Sequence, residues 1–297
     1  MMEPFRSPFY APAVVAVHGG HFAKAGFDVT LVTAAGTGTA EALLEGRADF
    51  AVSGIMRSLG LVDKGGPPIV HFAAVNDRNG FFLLSREPRR RFEWKELEGR
   101  TVISFGGAPT PYHCMLSVLR REGADVKRVN FVRDLGVPES IAAFKAGRAE
   151  FLECGPPVVD QLVAERAGHL VASMGVATGP VPFSSLMTTQ GRLRDDRADL
   201  VRLVRAFHGA QRWLAQASAD DVANVISPAF SDIAMPLLAR IVARYRAQGT
   251  WPDAPRLDRP GYERLQEILH AGGFIKARHA YELLIDTEIA TDARLPG

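Results

Sequence analysis

Cysteine is nearly absent from this chain: Cys114 and Cys154 are the only two in 297 residues. So few exclude a disulfide framework, and leave one bridge or two buried thiols as the alternatives. Long apolar runs are missing too. No segment approaches the roughly 18 uninterrupted apolar residues of a spanning helix, so no membrane span is expected. Net charge is small, +2, and the arginines are dispersed among acids, which removes the clustered basic face that nucleic acid requires. The run Arg89-Arg90-Arg91, with Arg86 before it, reads as a solvated loop beside a domain crossing. Met1 to Arg6 lacks a basic region followed by an apolar stretch. The chain is therefore expected to be cytoplasmic, or to start downstream of a removed leader.

Other absences narrow the chemistry. There is no Gly-Lys-Ser/Thr of a P-loop, no dinucleotide glycine spacing and no Gly-x-Ser-x-Gly nucleophile elbow. His18 and His21 stand three apart without a carboxylate or cysteine at ligand spacing, so neither a metal nor a cofactor is expected.

What is present is a duplication. Lys24-Ala25-Gly26-Phe27-Asp28-Val29 and, further on, Leu44 to Gly54 are answered by Arg121-Glu122-Gly123-Ala124-Asp125-Val126 and Lys145 to Gly155. In each copy a helix ends at a glycine, where a left-handed C-cap carries no Cβ penalty, and a short strand follows. A second helix ends at Gly46 or Gly147, and its strand runs into Gly54 or Gly155. With 47% hydrophobic and 23% charged residues the composition is that of a globular protein long enough for two domains. Two similar α/β lobes imply a cleft between them, where small molecules bind.

Periodicity assigns strands to Phe5–Phe9, Phe27–Thr33, Asp49–Ser53 and Ile69–Val75, with Phe81–Ser85 carrying the chain out of the first lobe. The second lobe reads as strands at Thr101–Phe105, Val126–Val132, Glu150–Cys154 and His169–Met174, with Ser184–Thr189 returning to the first lobe. The loop from Gly106 to Pro111 is expected not to be helical at its prolines. From Arg197 onward only helical spacing remains, as at Leu200, Leu203, Val204, Phe207, Ala210, Gln211 and Leu214, read as helices packed on the lobes. The expected organisation is lobe 1 from residues 1–85 plus 186–297 and lobe 2 from 86–185.

In open α/β sheets the ligand lies beyond the carboxyl ends of the strands. That rule selects Ser7 to Tyr10, Gly36 to Thr39, Ser53 to Ile55 and Asn76 in the first lobe. In the second it selects Gly106 to His113, Glu153 to Pro156 and Asp134. Helix N-termini behind the glycine loops would favour an anion, and Phe9, Tyr10 and Tyr112 offer faces for an aromatic ring. The candidate ligand-binding residues are Phe9, Tyr10, Thr37, Gly38, Thr39, Gly54, Asn76, Gly107, Thr110, Tyr112, His113, Cys154 and Gly155. Cys114 at a helix start, where the dipole depresses a thiol pKa, is a conceivable nucleophile. His113 and Cys114 cannot both face one ligand, since successive helix residues point apart.

Ser7 to Ala16, Gly20 to Val29 and Gly46 to Gly54 together resemble the substrate-binding components of bacterial ABC importers. The nearest branch is the one named after thiamine-pyrimidine synthesis, with nitrate, taurine and alkanesulfonate binders as cousins. Lys95 to Ile103, Glu139 to Glu150 and the ending Tyr281 to Thr287 are similar to the same family. The resemblance implies a two-lobed type II periplasmic-binding-protein-like α/β fold, each lobe a mixed sheet flanked by helices, that closes on its ligand by hinge motion. It also implies a periplasmic, monomeric protein that delivers a small anionic or heteroaromatic solute, pyrimidine- or sulfonate-like, to an ABC permease. Contacts carried over by position are Phe9, Tyr10, Thr37, Gly54, Asn76, Thr110, Tyr112 and Gly155. The same scaffold hosts enzymes: pyrimidine synthases, a sulfinate desulfinase and hydroxyphthalate decarboxylases. The synthase's cysteine-rich motif is missing, and no cysteine stands in the first-strand loop where the desulfinase has its nucleophile. A cytoplasmic lyase or pyrimidine-forming enzyme using His113, Cys114 and Glu153 is the alternative.

Overall fold

Each of the duplicated helix ends closes with the same hydrogen bonds. Arg47 N donates to Ala42 O (2.8 Å) and Arg148 N to Ala143 O (2.9 Å), while Gly46 and Gly147 turn the chain at φ 70° and 77°. Only a residue without Cβ adopts that conformation at no steric cost. A computed structural model, described over residues 1–34 and 38–293, shows what these units build.

The strands are β1 (Met2–Glu3), β2 (Val32–Thr33), β3 (Ala51–Ser53), β4 (Ile69–Asn76), β5 (Phe82–Ser85), β6 (Thr101–Ile103), β7 (Asn130–Val132), β8 (Phe151–Cys154), β9 (His169–Ser173) and β10 (Ser184–Thr189). They form two five-stranded sheets, ordered β2-β1-β3-β10-β4 and β7-β6-β8-β5-β9. The two orders follow one plan. Three strands run parallel, and an antiparallel strand, β10 in one sheet and β5 in the other, is inserted before the fourth. Each inserted strand begins where the chain has just crossed over. The crossings therefore fall at residues 77–81 and 174–183, and β5, expected at the end of lobe 1, pairs inside the second sheet with Phe82 opposite Cys154. Phe82 to Ser85 are all buried, so their apolar run fits a central strand covered on both faces.

Two further expectations change. The first strand is not Phe5–Phe9: Pro8 cannot donate to a ladder, and Ser7 Oγ instead accepts the Phe9 N–H (3.2 Å), making Pro8–Tyr10 one 3-10 turn. The prolines at 109 and 111 are helical after all. Helix Pro109–Arg121 starts on Pro109, and both prolines sit in the first turn, where N–H groups lack intrahelical partners anyway.

The helices used below are α1 (Ala11–His18), α2 (Thr39–Leu44), α3 (Ile55–Val62), α4 (Pro109–Arg121), α5 (Val137–Lys145), α6 (Val158–Ala164), α7 (Arg197–Gln216), α8 (Met235–Gln248) and α9 (Arg259–Ala271). The C-terminal helices do two things. Together with the loop at Pro255 they cap part of the edge strand β4, where Ala74 N donates to Pro255 O (2.7 Å) and Gln211 Nε2 to Ala74 O (3.0 Å). They also brace the crossings: Tyr245 Oη donates to Gly80 O (3.2 Å), Gln248 Nε2 to Asn79 O (2.8 Å), and Arg244 pairs with Asp160 of the second lobe (2.7 Å). Beneath them His71 is held between Ser58 and Ser185, and burial drives its pKa down to about 3, so the ring is neutral.

Candidate functional site

The strand ends of the first sheet converge on Phe9. Its carbonyl accepts hydrogen bonds from Asn76 Nδ2 (2.7 Å) and Trp251 Nε1 (2.9 Å), which anchors the backbone after β1. Its ring meets Tyr10, Phe183 and Tyr245 at centroid distances of 5.4, 5.8 and 5.8 Å. Gly80 makes that packing possible, because a Cβ there would lie 2.4 Å from the Phe9 ring.

The second sheet brings its strand ends to the same place. Phe105, two residues beyond β6, lies tilted against Phe81 (4.6 Å) and approaches Phe5 of the first lobe edge-on (6.3 Å), so rings from both lobes meet across the gap. Gly106 passes so close to the end of β7 that a Cβ would stand 2.6 Å from Arg133 O. Between these walls lies a cavity of about 470 Å³. Phe5, Ser7 and Phe9 face it from one lobe, Phe105, Val137 and Glu153 from the other, and Tyr245 contributes from α8.

Polar groups in the cavity are few and unequal. Arg6 lines it, but its guanidinium is bound to the buried Glu3 (2.5 Å), and Glu3 also accepts from Thr33 (2.8 Å). Its charge is thus already matched. Glu153 is 1% exposed; Oε2 accepts from Ser104 Oγ (2.5 Å) and Phe105 N (3.3 Å), while Oε1 has no partner. Burial pushes this carboxyl up to about 7, against the two hydrogen bonds that pull it down. A buried acceptor without a donor costs on the order of 1–3 kcal/mol, a loss that a bound hydrogen-bond donor would remove.

Of the candidate ligand-binding residues, Phe9, Gly107, Cys154 and Gly155 line the cavity, and strand-end position also led to Ser7, Gly106, Glu153 and Pro156. Several others do not. Tyr10 is buried beneath it, 5.5 Å from Phe5. Asn76 is committed to Phe9 O and to the Ser184 hydroxyl, and Thr39 Oγ1 donates to Ser53 Oγ (3.1 Å). Gly38 and Gly54 sit at the N-caps of α2 and α3. Thr110 is buried with its hydroxyl unpartnered. Tyr112 lies under the Arg133 guanidinium (3.7 Å) and against Phe131. His113 is turned the other way, onto Phe274 (5.8 Å), and burial with Arg133 and Arg120 lowers it to about 4. Thr37 is outside the described residues.

The two cysteines are free and buried. Cys114 does not stand at a helix start: α4 begins at Pro109, and burial pushes the thiol up to about 12, while Cys154 is raised by the same cause. Phe5, Phe81, Val137 and Tyr245 were not selected from the sequence. Phe105 could have been, as the last residue of the expected strand Thr101–Phe105, just before Gly106-Gly107. Tyr245 carried no such signal, since its helical spacing says only that it is buried.

Over residues 7–218, well above half of the chain, the sequence matches the family model described as NMT1/THI5 like. The chain belongs to the NMT1/THI5-like family. A relative in that comparison of sequences is the putative binding protein YtlA of Bacillus subtilis (strain 168), 29% identical over 291 residues, 97% of this chain and 87% of YtlA. Among solved structures, the periplasmic aliphatic sulphonate binding protein SsuA from Escherichia coli superposes with a TM-score of 0.77 at 13% identity, covering 98% of this chain and 97% of SsuA. The desulfurization enzyme DSZB superposes with a TM-score of 0.70 at 15% identity, covering 99% and 98%. The fold of this NMT1/THI5-like chain is thus that of type II periplasmic binding proteins, and enzymes share it.

Proposed function

We propose that this chain is the solute-binding component of an ABC-type importer, closing its lobes on a small heteroaromatic molecule and passing it to a permease outside the cytoplasmic membrane. The carrying observation is the interlobe cavity itself, walled by Phe5 and Phe9 from one lobe and Phe105 from the other, with one buried carboxyl oxygen left without a donor. An aromatic ring fits between aromatic walls, and a ring edge bearing N–H groups supplies the donor that Glu153 Oε1 lacks. The sulfonate half of the expectation has less support. An anion would face Glu153, and Arg6 already has Glu3 as its counter-ion. The chain segments 77–81 and 174–183 are the two crossings about which closure would occur.

The experiment is a thermal-shift and calorimetric titration of the full chain with 4-aminopyrimidine, an alkanesulfonate and benzoate. At one hundred times Kd a bound solute stabilises the fold by ~2.7 kcal/mol, so 4-aminopyrimidine is expected to raise Tm by several degrees. A shift with the sulfonate alone would reject the donor-edge assignment. No shift with any of them, in protein shown to be folded, would remove the basis of solute capture.

One observation favours an enzyme as second reading: a carboxyl at about 7 inside a cavity is suited to general acid–base work. Mass spectrometry of each probe after incubation separates the two. A product that forms with the native chain and not with Glu153→Gln makes it an enzyme.

A further inference from the structure

A second cavity, of about 440 Å³, lies on the hinge side of the first lobe, between α1, the end of β4, α7 and α8. It is a different place from the cleft: the two share no lining residue, but they share a wall. Trp251, which lines the second cavity, donates its indole N–H to the carbonyl of Phe9, which lines the first.

Several polar atoms around this cavity lack a partner among the described residues. Gln211 is 2% exposed; its Nε2 is fixed on Ala74 O, so the amide orientation is determined and Oε1 faces no donor. Among the described residues the Asp77 side chain accepts no hydrogen bond and joins no ion pair, although its backbone is fixed by Thr250 O and Val181 N. Burial, with Asp258 nearby and Arg78 only partly compensating, holds that carboxyl up at about 7. Arg246 donates from Nη2 to Leu214 O (2.6 Å) but its Nε is buried and, among the described residues, unpartnered, and none of their carboxylates pairs with it. One pocket therefore presents two acceptors without donors, one of them a carboxyl that a bound cation would favour in its ionised form, and, among the described residues, a guanidinium without a counter-ion.

From this arrangement we infer that the hinge-side cavity binds a small zwitterion of the α-amino-acid type, its ammonium on Asp77 and Gln211 Oε1 and its carboxylate on Arg246. A simple cation would leave Arg246 unmatched, and a simple anion would face Asp77 and the exposed rim residue Asp253. A zwitterion satisfies all three groups with charge-assisted hydrogen bonds. Asp77 opens the crossing to the second lobe, and by linkage any effect of the zwitterion on solute affinity in the cleft is returned in equal measure by the solute.

The test is calorimetric titration of the full chain with L-alanine, L-serine and L-leucine, using ethylamine and propionate as single-charge controls. At least one amino acid is expected to bind saturably at one site, with both controls weaker by about tenfold or more, since each loses a charged contact worth over 1.4 kcal/mol. Arg246→Met and Asp77→Asn, each checked for native Tm, should weaken the amino acid by a similar factor. A crystal soaked in the amino acid gives a reading that needs no variant. Density for the zwitterion beside Gln211 supports the assignment, and ordered water alone overturns it. Three other results overturn it: no saturable heat with any amino acid, equal binding of ethylamine, or crystal density for the amino acid in the cleft and not beside Gln211.

Discussion

The duplicated strands end in the same Gly motif and come to opposite situations. At the end of β3, Ser53 Oγ is hydrogen-bonded to Thr39, and a Cβ on Gly54 would lie 2.5 Å from Met56 Sδ and 3.3 Å from Phe183 O. At the end of β8, nothing approaches a Cβ on Gly155 closer than 3.8 Å, and Glu153, which answers Val52 of the first copy, keeps an oxygen without a partner among the described residues. The local code of helix, left-handed glycine and strand is common to both. What differs is the cover: the returning chain at Phe183 closes over the first copy, while the second opens on the cavity. Equivalent positions in a duplicated sequence are therefore not equivalent contributors to the site.

The comparison can be broken most forcefully at the shared wall. In Gly80→Ala the new methyl would meet the Phe9 ring at 2.4 Å, and overpacking of this kind costs about 1–3 kcal/mol. A fall in Tm of several degrees, together with weaker solute binding, is the expected outcome in thermal denaturation; an unchanged Tm would mean that Phe9 is not held as described.

Glu153→Gln sharpens the contrast through pH. The carboxyl's pKa is raised in the folded chain from 4.5 to about 7, so its contribution to stability is complete below about 4.5 and is lost as pH rises through 7. The variant carries no such titration. It should lose less Tm than the native chain between pH 5 and pH 8, and should be the more stable of the two at pH 8. The opposite order at pH 8 would show that the carboxylate is better accommodated than its burial implies.

A smaller effect tests the glycines directly. Gly54→Ala is expected to cost about 1 kcal/mol, because Met56 must shift, whereas Gly155→Ala should stay within about 0.5 kcal/mol while narrowing the cavity and weakening the solute. Urea denaturation and a solute titration of both variants check this pair, and equal stability losses would erase the asymmetry. Smallest is the thiol result. Both cysteines are buried with raised pKa, so Ellman's reagent should label the native chain at least about tenfold more slowly than the urea-unfolded chain.

Much of the architecture was legible before any coordinates. Left-handed glycines at 46 and 147 marked the helix ends, and the span of β10, Ser184–Thr189, was read residue for residue. Strand ends also led to the cavity-lining Ser7, Phe9, Gly106, Gly107, Glu153, Cys154, Gly155 and Pro156. Tyr10, Tyr112 and His113 misled because an aromatic or imidazole beside a loop says nothing about which neighbour it faces: these pack on Phe5, on Arg133 and Phe131, and on Phe274. The sheet to which β5 belongs was equally hidden, since an apolar run of four residues pairs as well with one lobe as with the other.

The sequence by itself determined the repeated α/β unit, its helix stops and its strand ends, because these depend on contacts between residues a few positions apart. Tertiary structure alone decided that Phe5, Phe105 and Tyr245, from distant parts of the chain, wall one cavity, and that Glu153 is left there with an unpartnered oxygen. Burial, and with it pKa and hydrogen-bond satisfaction, depends on what packs from far along the chain, and no local pattern encodes that.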